Sequence, residues 1–221
     1  MITAVVVDNG EPTLIQCLES LLDQTLPPNE IILAPGPETP EDVLVEVRKL
    51  GVRVLERLEG IGVARVNAVL RSSNDLIVSC DSDTVYERHY VEYAAEDLLN
   101  GFKLVKAGRI LPREINPLAL IETVFTPLVP YEFALAFRRS DFLKAKVHLE
   151  DYSDPRSDVG FWLSRRFFPP YIDFRMECYT KLPTYAAAKI ASDYLGPLIA
   201  GSTPLIVTTG LLAVRHIYPP T

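Results

Sequence analysis

The sequence is short of the residues on which several classes of protein depend. Its 221 residues include only three cysteines, Cys17, Cys80 and Cys178, which are widely spaced and odd in number. This pattern argues against a disulfide framework and against a cysteine-rich metal knuckle, so we expect reduced thiols and a cytoplasmic setting. An excess of positive charge is also absent, since 22 lysines and arginines are outweighed by 29 acids and the formal net charge is −7. The chain therefore lacks the broad basic field that non-specific binding of nucleic acid requires.

Long apolar runs are few as well. Residues 2–7, which follow Met1, have no basic flank and are too short for the apolar part of a signal peptide, so we expect no secretory signal. The uncharged run 195–214 has the length of a bilayer span, but its two prolines and three glycines disfavour one continuous helix. Three hypotheses stay open for this run: a packing tail or homo-oligomer contact, peripheral association with a membrane, or a true span.

The first hundred residues contain a close alternation of strand and helix patterns. Predicted strands span residues 2–7, 30–33, 52–55 and 76–80, and predicted helices start at Pro12, at Thr39 and at residue 60. We expect Thr39 to cap the second helix, with Pro40 at its first position and Gly51 at its end. This alternation predicts a parallel sheet with right-handed crossovers, in which ligands lie outside the carboxyl ends of the strands.

The second half of the chain is less regular. Strands are predicted at 103–111, 132–138 and 171–178, and a helix is predicted at 155–168. Because no repeat or low-complexity linker interrupts the chain, we predict one domain over residues 1–190. It divides into a nucleotide-binding half, residues 1–100, and an acceptor half, residues 101–190. Residues 191–221 are expected to form a separate apolar tail.

Asp81-Ser82-Asp83 directly follows the fourth predicted strand. Side chains two residues apart in an extended chain point the same way, so the two carboxylates should lie close together and repel each other. A hard divalent cation would relieve this repulsion and could also bind phosphate oxygens. The alternative is a pair of solvated turn acids. The position at the end of a strand that follows three β-α units favours a metal and donor site.

Several segments of the first hundred residues together resemble glycosyltransferase family 2. The segments are CLESLL at 17–22, Gln24-Thr25, Glu30-Ile31-Ile32, Gly60, Ala64-Arg65, Asp75 and Asp81-x-Asp83, in the order that the family shows. The resemblance implies a GT-A fold of the α/β class, with a mostly parallel, Rossmann-like central sheet flanked by helices and a smaller mixed subsheet on the acceptor side. It also implies metal-dependent transfer of a sugar from a nucleotide sugar to an acceptor hydroxyl, with inversion.

The same resemblance implies a donor site. The implied donor-binding residues are Asp8, Asn9, Pro35, Gly36, Arg65, Asp81, Ser82 and Asp83. Asp83 would ligate a Mn²⁺ or Mg²⁺ ion that bridges the diphosphate, while Asp81 would join the metal shell or bind the donor ribose. Asp8 and Asn9 would lie beside the nucleobase. Arg65 would face the nucleotide, and the alternative for it is an exposed arginine on the helix surface.

The end of the second predicted strand departs from the family pattern. Pro35 and Gly36 stand where the family usually has two acids, one of which contacts the base. The identity of the base is therefore open, and both a UDP-sugar and a GDP-sugar are candidates for the donor.

The acceptor half carries a fainter match to the family. Residues 133–142 resemble a strand and short helix that precede the catalytic acid. Asp158 is the resulting candidate for the base that takes the proton of the acceptor hydroxyl, with Asp151 and Asp154 in reserve. A helix-capping role is the alternative for Asp158. Trp162 is a candidate for stacking on an acceptor sugar or for the core, and the acceptor could be a glycan, a protein or a lipid.

Two other enzyme classes and one non-enzymatic class stay open. The run LIVSCDSDT at 76–84 also fits the pattern of haloacid-dehalogenase phosphatases, in which the first aspartate attacks phosphorus. That pattern normally lies on the first strand of its domain, whereas three strands are predicted before it here. A nucleotidyltransferase would need a glycine-rich, basic loop after the first strand, but residues 8–13 hold one glycine and two acids. The third alternative is a transferase-like module that only binds.

Overall fold

A computed structural model describes residues 1–113, 134–144 and 170–181 of the chain. The strands in these ranges are β1 (Ile2–Asp8), β2 (Glu30–Pro35), β3 (Arg53–Val54), β4 (Leu76–Asp81), β5 (Thr84–Tyr86), β6 (Leu104–Pro112), β7 (Leu135–Arg138) and β8 (Tyr171–Thr180). The helices are α1 (Leu14–Leu22), α2 (Glu41–Lys49), α3 (Ile61–Arg71), α4 (Tyr90–Leu99) and α5 (Arg139–Lys144). The predicted helix at 155–168 lies outside the described residues.

The described strands form one sheet in the order β3-β2-β1-β4-β7-β6-β8-β5. β3, β2, β1 and β4 run parallel to one another, which confirms the predicted β-α alternation with helical crossovers. β7 is antiparallel to β4 and to β6, and β8 is parallel to β6 but antiparallel to β5. The sheet is therefore parallel in its first half and mixed in its second, as the expected fold class requires.

The residues of β1 serve two cores, because successive side chains of a strand point to opposite faces of the sheet. Ala4 and Val6 pack with buried residues of α1, α2 and α4 on one face, and Val5 and Val7 pack with residues of α3 and α5 on the other. Every residue of β1 is buried. A strand covered on both faces reads as a nearly continuous apolar run, and here that run ends at Asp8, on the carboxyl edge of the sheet.

The start of α2 differs from its prediction. Pro40 is the residue before the helix, with an extended backbone (φ −67°, ψ 146°), and the helix begins at Glu41. The prediction that Thr39 caps this helix is wrong, because the Thr39 hydroxyl donates to the Asp8 carboxylate at 2.6 Å instead. Gly51 ends the helical segment as predicted, with a φ of 79° that suits glycine.

Two described elements were not predicted. β5 has three residues, which is too short for an alternating pattern to be recognised. α4 buries Tyr90, Val91, Ala94, Ala95 and Leu98, a helical spacing that could have identified it. Within the described ranges, none of the helices is both long enough and apolar enough to cross a membrane. The run 195–214 lies outside those ranges.

Candidate active site

The candidate site lies at the carboxyl edge of β1, β2 and β4. Asp8 lies opposite Pro35 in the sheet, and Val7 lies opposite Asp81. A cleft of about 260 Å³ opens at this edge, lined by Val7, Asp8, Asn9, Gly36, Leu58, Gly60, Ile61 and Ala64. Pockets that enclose a whole small ligand usually measure roughly 300–1,000 Å³, so this cleft suits one part of a larger molecule. The fold thus brings together three of the predicted donor residues: Asp8, Asn9 and Gly36.

Asp8 is a buried carboxylate whose surroundings supply it with hydrogen-bond donors. It accepts the backbone N–H groups of Gly10 at 2.9 Å and Glu11 at 3.1 Å, and the hydroxyl of Thr39 at 2.6 Å. Buried carboxylates require such donors, because desolvation without them is costly. Asp8 therefore fixes the β1–α1 loop and ties it to the segment that precedes α2.

Gly36 leaves space that the side chain of Asn9 takes. A Cβ atom built on Gly36 would lie 2.4 Å from Asn9 Oδ1 and 3.0 Å from the backbone oxygen of Asp8. The N–H of Gly36 donates to that same backbone oxygen at 2.6 Å. A larger residue at this position would displace the Asn9 amide from the cleft. Pro35, the last residue of β2, is buried beside it.

Arg65 lies on α3 with only 1% of its surface exposed. Its guanidinium donates to Ser79 Oγ at 2.7 Å, to the backbone oxygen of Cys80 at 3.1 Å and to Asp81 Oδ1. The alternative of an exposed arginine on the helix surface is therefore wrong. Arg65 compensates the charge of Asp81 from inside the protein and holds that carboxylate at the end of β4.

The backbone of Asp81 and Ser82 is held by several elements at once. The contacts are Ser82 N–H to the Val7 oxygen at 3.0 Å, Asp81 N–H to the Tyr86 hydroxyl at 3.1 Å, the Cys17 thiol to the Asp81 oxygen at 3.3 Å and the Thr13 hydroxyl to the Ser82 oxygen at 3.0 Å. Strand β1, helix α1 with its preceding residue, and strand β5 all take part. The two acids thus project from a fixed backbone.

Asp83 is held by hydroxyl groups from both halves of the chain. Its Oδ1 accepts from the Thr84 hydroxyl at 2.9 Å and from the Thr180 hydroxyl at 3.2 Å, and the two hydroxyls are 3.0 Å apart. Burial, and next the negative charge of Asp81, raise the pKa of Asp83 to about 6. A cation beside Asp83 would counter both effects.

Asp81 and Asp83 could each offer a second carboxylate oxygen to a divalent cation, which would need further ligands from substrate and water. One oxygen of Asp81 is bound by Arg65, and one oxygen of Asp83 is bound by the two threonines. In the described part of the chain, no cluster of three or more acidic, histidine or cysteine side chains could hold an ion. Mn²⁺ and Mg²⁺ often use only one or two protein carboxylates and take their other ligands from phosphates and water.

The three cysteines are free and buried. Burial raises the pKa of Cys17 and of Cys178 well above the usual range, and raises that of Cys80 to about 12. Thiols with such values stay neutral at pH 7 and are therefore poor nucleophiles. This agrees with the reduced, unpaired thiols that the sequence predicts.

The sequence did not predict that six residues hold the site in place. They are Thr13, Cys17, Thr39, Thr84, Tyr86 and Thr180. Thr84 lies in the same run as Asp83 and could have been noticed, whereas Thr180 is 97 residues away and carries no local signal. The acceptor-side candidates Asp151, Asp154, Asp158 and Trp162 lie outside the described residues and stay predictions.

Comparison with known proteins extends this description. The family model described as glycosyl transferase family 2 matches residues 3–143, whereas no curated protein sequence matches the chain. A structure of residues 1–349 of S. aureus TarS has a TM-score of 0.62 at 13% identity, over 81% of this chain and 60% of that one. The same TarS segment in complex with UDP has a TM-score of 0.62 at 14% identity, over 91% of this chain and 72% of that one.

A third structure, the TarS segment in complex with UDP-GlcNAc, has a TM-score of 0.61 at 14% identity and covers 81% of this chain and 58% of that one. At these identities the likeness shows a shared fold. The chain spans about 60% of the length of the first TarS segment.

Proposed function

The chain belongs to glycosyl transferase family 2, and from this membership we propose that it transfers a sugar from a nucleoside-diphosphate sugar to an acceptor hydroxyl. The observation that carries the proposal is the arrangement at the carboxyl edge of the sheet. There, a cleft lined by Asn9 and Gly36 lies beside β4, which ends at Asp81. A base in the cleft and a diphosphate near the two acids would use both parts of this edge.

The uridine nucleotides are the first candidates for the donor. TarS structures contain UDP and UDP-GlcNAc, and the present fold resembles them. A GDP-sugar is the alternative, because Pro35 and Gly36 stand where the family usually has two acids, one of which contacts the base. The acceptor class, the association of copies of the chain, a cytoplasmic location and contact of the run 195–214 with a membrane stay predictions.

Asp81 and Asp83 are proposed to hold Mn²⁺ or Mg²⁺. When bound, such an ion would supply positive charge to the diphosphate that leaves the sugar. Arg65 would keep Asp81 ionised and oriented, and the hydroxyls of Thr84 and Thr180 would orient Asp83. Inversion, with Asp158 as the base that takes the acceptor proton, completes the proposal and rests on the family resemblance.

The donor half, residues 1–100, and the acceptor half, residues 101–190, meet in a contact at the site. Thr180 on β8 belongs to the acceptor half, residues 101–190, yet it donates to Asp83 of the donor half. We therefore place the boundary near residue 100 as a division of substrate contacts and not of folding units. The tail 191–221 stays a separate predicted segment.

The nucleotidyltransferase alternative is disfavoured by the β1–α1 loop. The backbone N–H groups of Gly10 and Glu11, which a triphosphate would need, donate to the Asp8 carboxylate. The phosphatase alternative requires Asp81 as a nucleophile, but Arg65 and the burial of β4 serve to hold that carboxylate in place.

An assay of turnover tests the proposed function. Incubation with UDP-GlcNAc, Mn²⁺ and candidate acceptors should release UDP, and Asp83→Asn should lower that rate about 10²–10³-fold, because it removes a ligand of the ion that would stabilise the leaving diphosphate. Asp23→Asn, at an exposed position after α1, is the matched control and should keep the wild-type rate. Hydrolysis of p-nitrophenyl phosphate without release of nucleotide from UDP- or GDP-sugars would instead favour the phosphatase.

A further inference from the structure

Residues 36–39, which lie between β2 and the Pro40 that precedes α2, form a loop that is bound by side chains of two other segments. It begins with Gly36, which lines the cleft, and it ends with Thr39, which is 2% exposed. The loop has one internal hydrogen bond, from the Thr39 N–H to the Gly36 oxygen at 3.3 Å. One weak bond does not fix a loop of this length, so its position depends on its neighbours.

The first neighbour is the β1–α1 loop. Asp8 accepts the Thr39 hydroxyl at 2.6 Å through its carboxylate and the Gly36 N–H at 2.6 Å through its backbone oxygen. The same carboxylate accepts two N–H groups of its own loop. Both ends of the 36–39 loop are thereby attached to Asp8, which also lines the cleft.

The second neighbour is Arg57, which lies between β3 and α3. Its Nη1 donates to the backbone oxygens of Gly36 at 3.3 Å and Pro37 at 3.3 Å and also to that of Thr39. Its Nη2 binds Glu41 at 2.9 Å. The planar guanidinium has several donors in a fixed arrangement, so one side chain can gather several carbonyl groups. Arg57 thus holds the loop through its carbonyl oxygens, whereas Asp8 holds it through the Gly36 N–H and the Thr39 hydroxyl.

The position of the 36–39 loop affects the cleft through Gly36. Asn9 Oδ1 lies 2.4 Å from the position that a Cβ atom of residue 36 would take. A shift of the loop would therefore move Gly36 away from the Asn9 amide that packs against it. Leu58 and Gly60, which follow Arg57 in the chain, line the same cleft. Three loops at the carboxyl edge are therefore held in one arrangement by Asp8 and Arg57, before any ligand binds.

We propose that Arg57 and Thr39 are positioning residues for the nucleotide: they hold the 36–39 loop so that the cleft is preformed. The role rests on the proposed function, because it takes the nucleoside part of the donor as the occupant of the cleft. Preformed sites bind more tightly since less order has to be imposed on binding. Loss of either residue should therefore weaken nucleotide binding without removing any group that the nucleotide touches.

Arg48 offers a matched control. It pairs with the same Glu41 at 3.1 Å, and its guanidinium makes no other polar contact in the part of the chain that the structure describes. Both arginines thus form an exposed ion pair with Glu41, but Arg57 additionally binds the loop. A difference between Arg57→Gln and Arg48→Gln reports on the loop and not on the ion pair. Thr39→Val and Thr39→Ser form a second matched pair, since serine keeps the hydroxyl.

The experiment measures the Kd of UDP and of GDP with Mn²⁺ by titration calorimetry, for the wild type and the four variants. Arg57→Gln and Thr39→Val should weaken binding of the preferred nucleotide about tenfold, the effect of one lost hydrogen bond to a charged group. Arg48→Gln and Thr39→Ser should stay within about twofold of the wild type. In turnover, the donor KM should rise while kcat stays nearly unchanged.

Hydrogen exchange without nucleotide provides an independent test. The N–H groups of Gly36 and Thr39 should exchange faster in Arg57→Gln than in Arg48→Gln, because the loop opens more often. Equal exchange and equal Kd in these two variants would overturn the positioning role while leaving the proposed function intact. A wild-type chain that binds neither nucleotide would overturn the proposed function, and with it this role.

Discussion

Asp83 has two carboxylate oxygens with different surroundings. Oδ1 accepts the hydroxyls of Thr84 and Thr180, whereas no described residue donates a hydrogen bond to Oδ2. A carboxylate held in this way presents one oxygen in a fixed direction, as residues around metal sites commonly arrange. The two threonine hydroxyls thus fix the orientation of the Asp83 carboxylate, and its charge remains available to a bound ion.

The charge of Asp83 predicts a dependence of stability on pH. Its pKa is raised from 3.8 to about 6, first by burial and next by Asp81, so the folded chain holds this proton more tightly than the unfolded chain does. The stabilising contribution of the proton is present below about pH 4 and is lost as the pH rises to about 6, amounting to about 2–3 kcal/mol for the metal-free protein. Urea unfolding between pH 4 and 7 measures it.

Asp83→Asn should remove this pH dependence and make the metal-free protein more stable near pH 7. Asparagine keeps an oxygen that can accept from the two threonines but carries no charge. Asp23→Asn serves as the control for a change of net charge at an exposed position. Stability curves that run parallel for the wild type and Asp83→Asn over this range would show that Asp83 is not a buried, destabilised carboxylate.

Individual elements could be predicted from the sequence wherever local patterns determine them. β1, β2 and β4 are buried apolar runs, and such runs between helical patterns indicate a parallel sheet. The cap of α2 could not be predicted, because the Thr39 hydroxyl is taken by Asp8, 31 residues earlier. Local propensity favours the cap, but a tertiary contact with a buried carboxylate is stronger.

The buried position of Arg65 on helix α3 and its hydrogen bonds predict the effect of a substitution there. Arg65→Met keeps the apolar stem but leaves Asp81 Oδ1, Ser79 and the Cys80 oxygen without their shared donor. Removal of one partner of a buried ion pair costs about 3–5 kcal/mol. Because the Asp81 side chain is 29% exposed, the loss in Arg65→Met should lie near the lower end of this range. Urea unfolding of the metal-free protein measures this loss. Arg71→Met, at the exposed end of the same helix, should cost less than about 1 kcal/mol.

A double substitution separates the charge from the packing of the side chain. Arg65→Met combined with Asp81→Asn should recover part of the lost stability, because the Asp81 charge is no longer left without its partner. If Arg65→Met were as mild as Arg71→Met, or if the double variant were less stable than the sum of the single ones, Arg65 would not act through Asp81.

At the scale of the whole molecule, the site joins segments that are distant in the sequence. β1, β2 and β4 supply its edge, and β8 supplies Thr180, 97 residues after Asp83. The parallel half and its carboxyl edge could be predicted, since order and spacing along the chain define them. The contact with β8 could not, because it depends on how β6, β7 and β8 pair, and hydrophobic patterns do not specify strand order.

In the cleft, too, some contacts could be predicted from the sequence and others could not. That Asp8, Asn9 and Gly36 meet was predictable from the ends of adjacent parallel strands. That Gly36 is small because Asn9 lies against it, and that Arg57 holds the loop, were not predictable, since both depend on side-chain positions across three loops.

The most direct test of the central claim is the melting temperature of the chain with UDP, GDP, ADP and CDP, each with and without Mn²⁺, for the wild type and Asp83→Asn. One nucleoside diphosphate should raise Tm with Mn²⁺ by roughly 5–10 °C at a hundredfold excess over Kd. The shift should be smaller without Mn²⁺ and absent in Asp83→Asn. If no nucleoside diphosphate raises Tm in the presence of Mn²⁺, or if the shift is the same in Asp83→Asn, the carboxyl edge of this sheet is not a metal-dependent donor site.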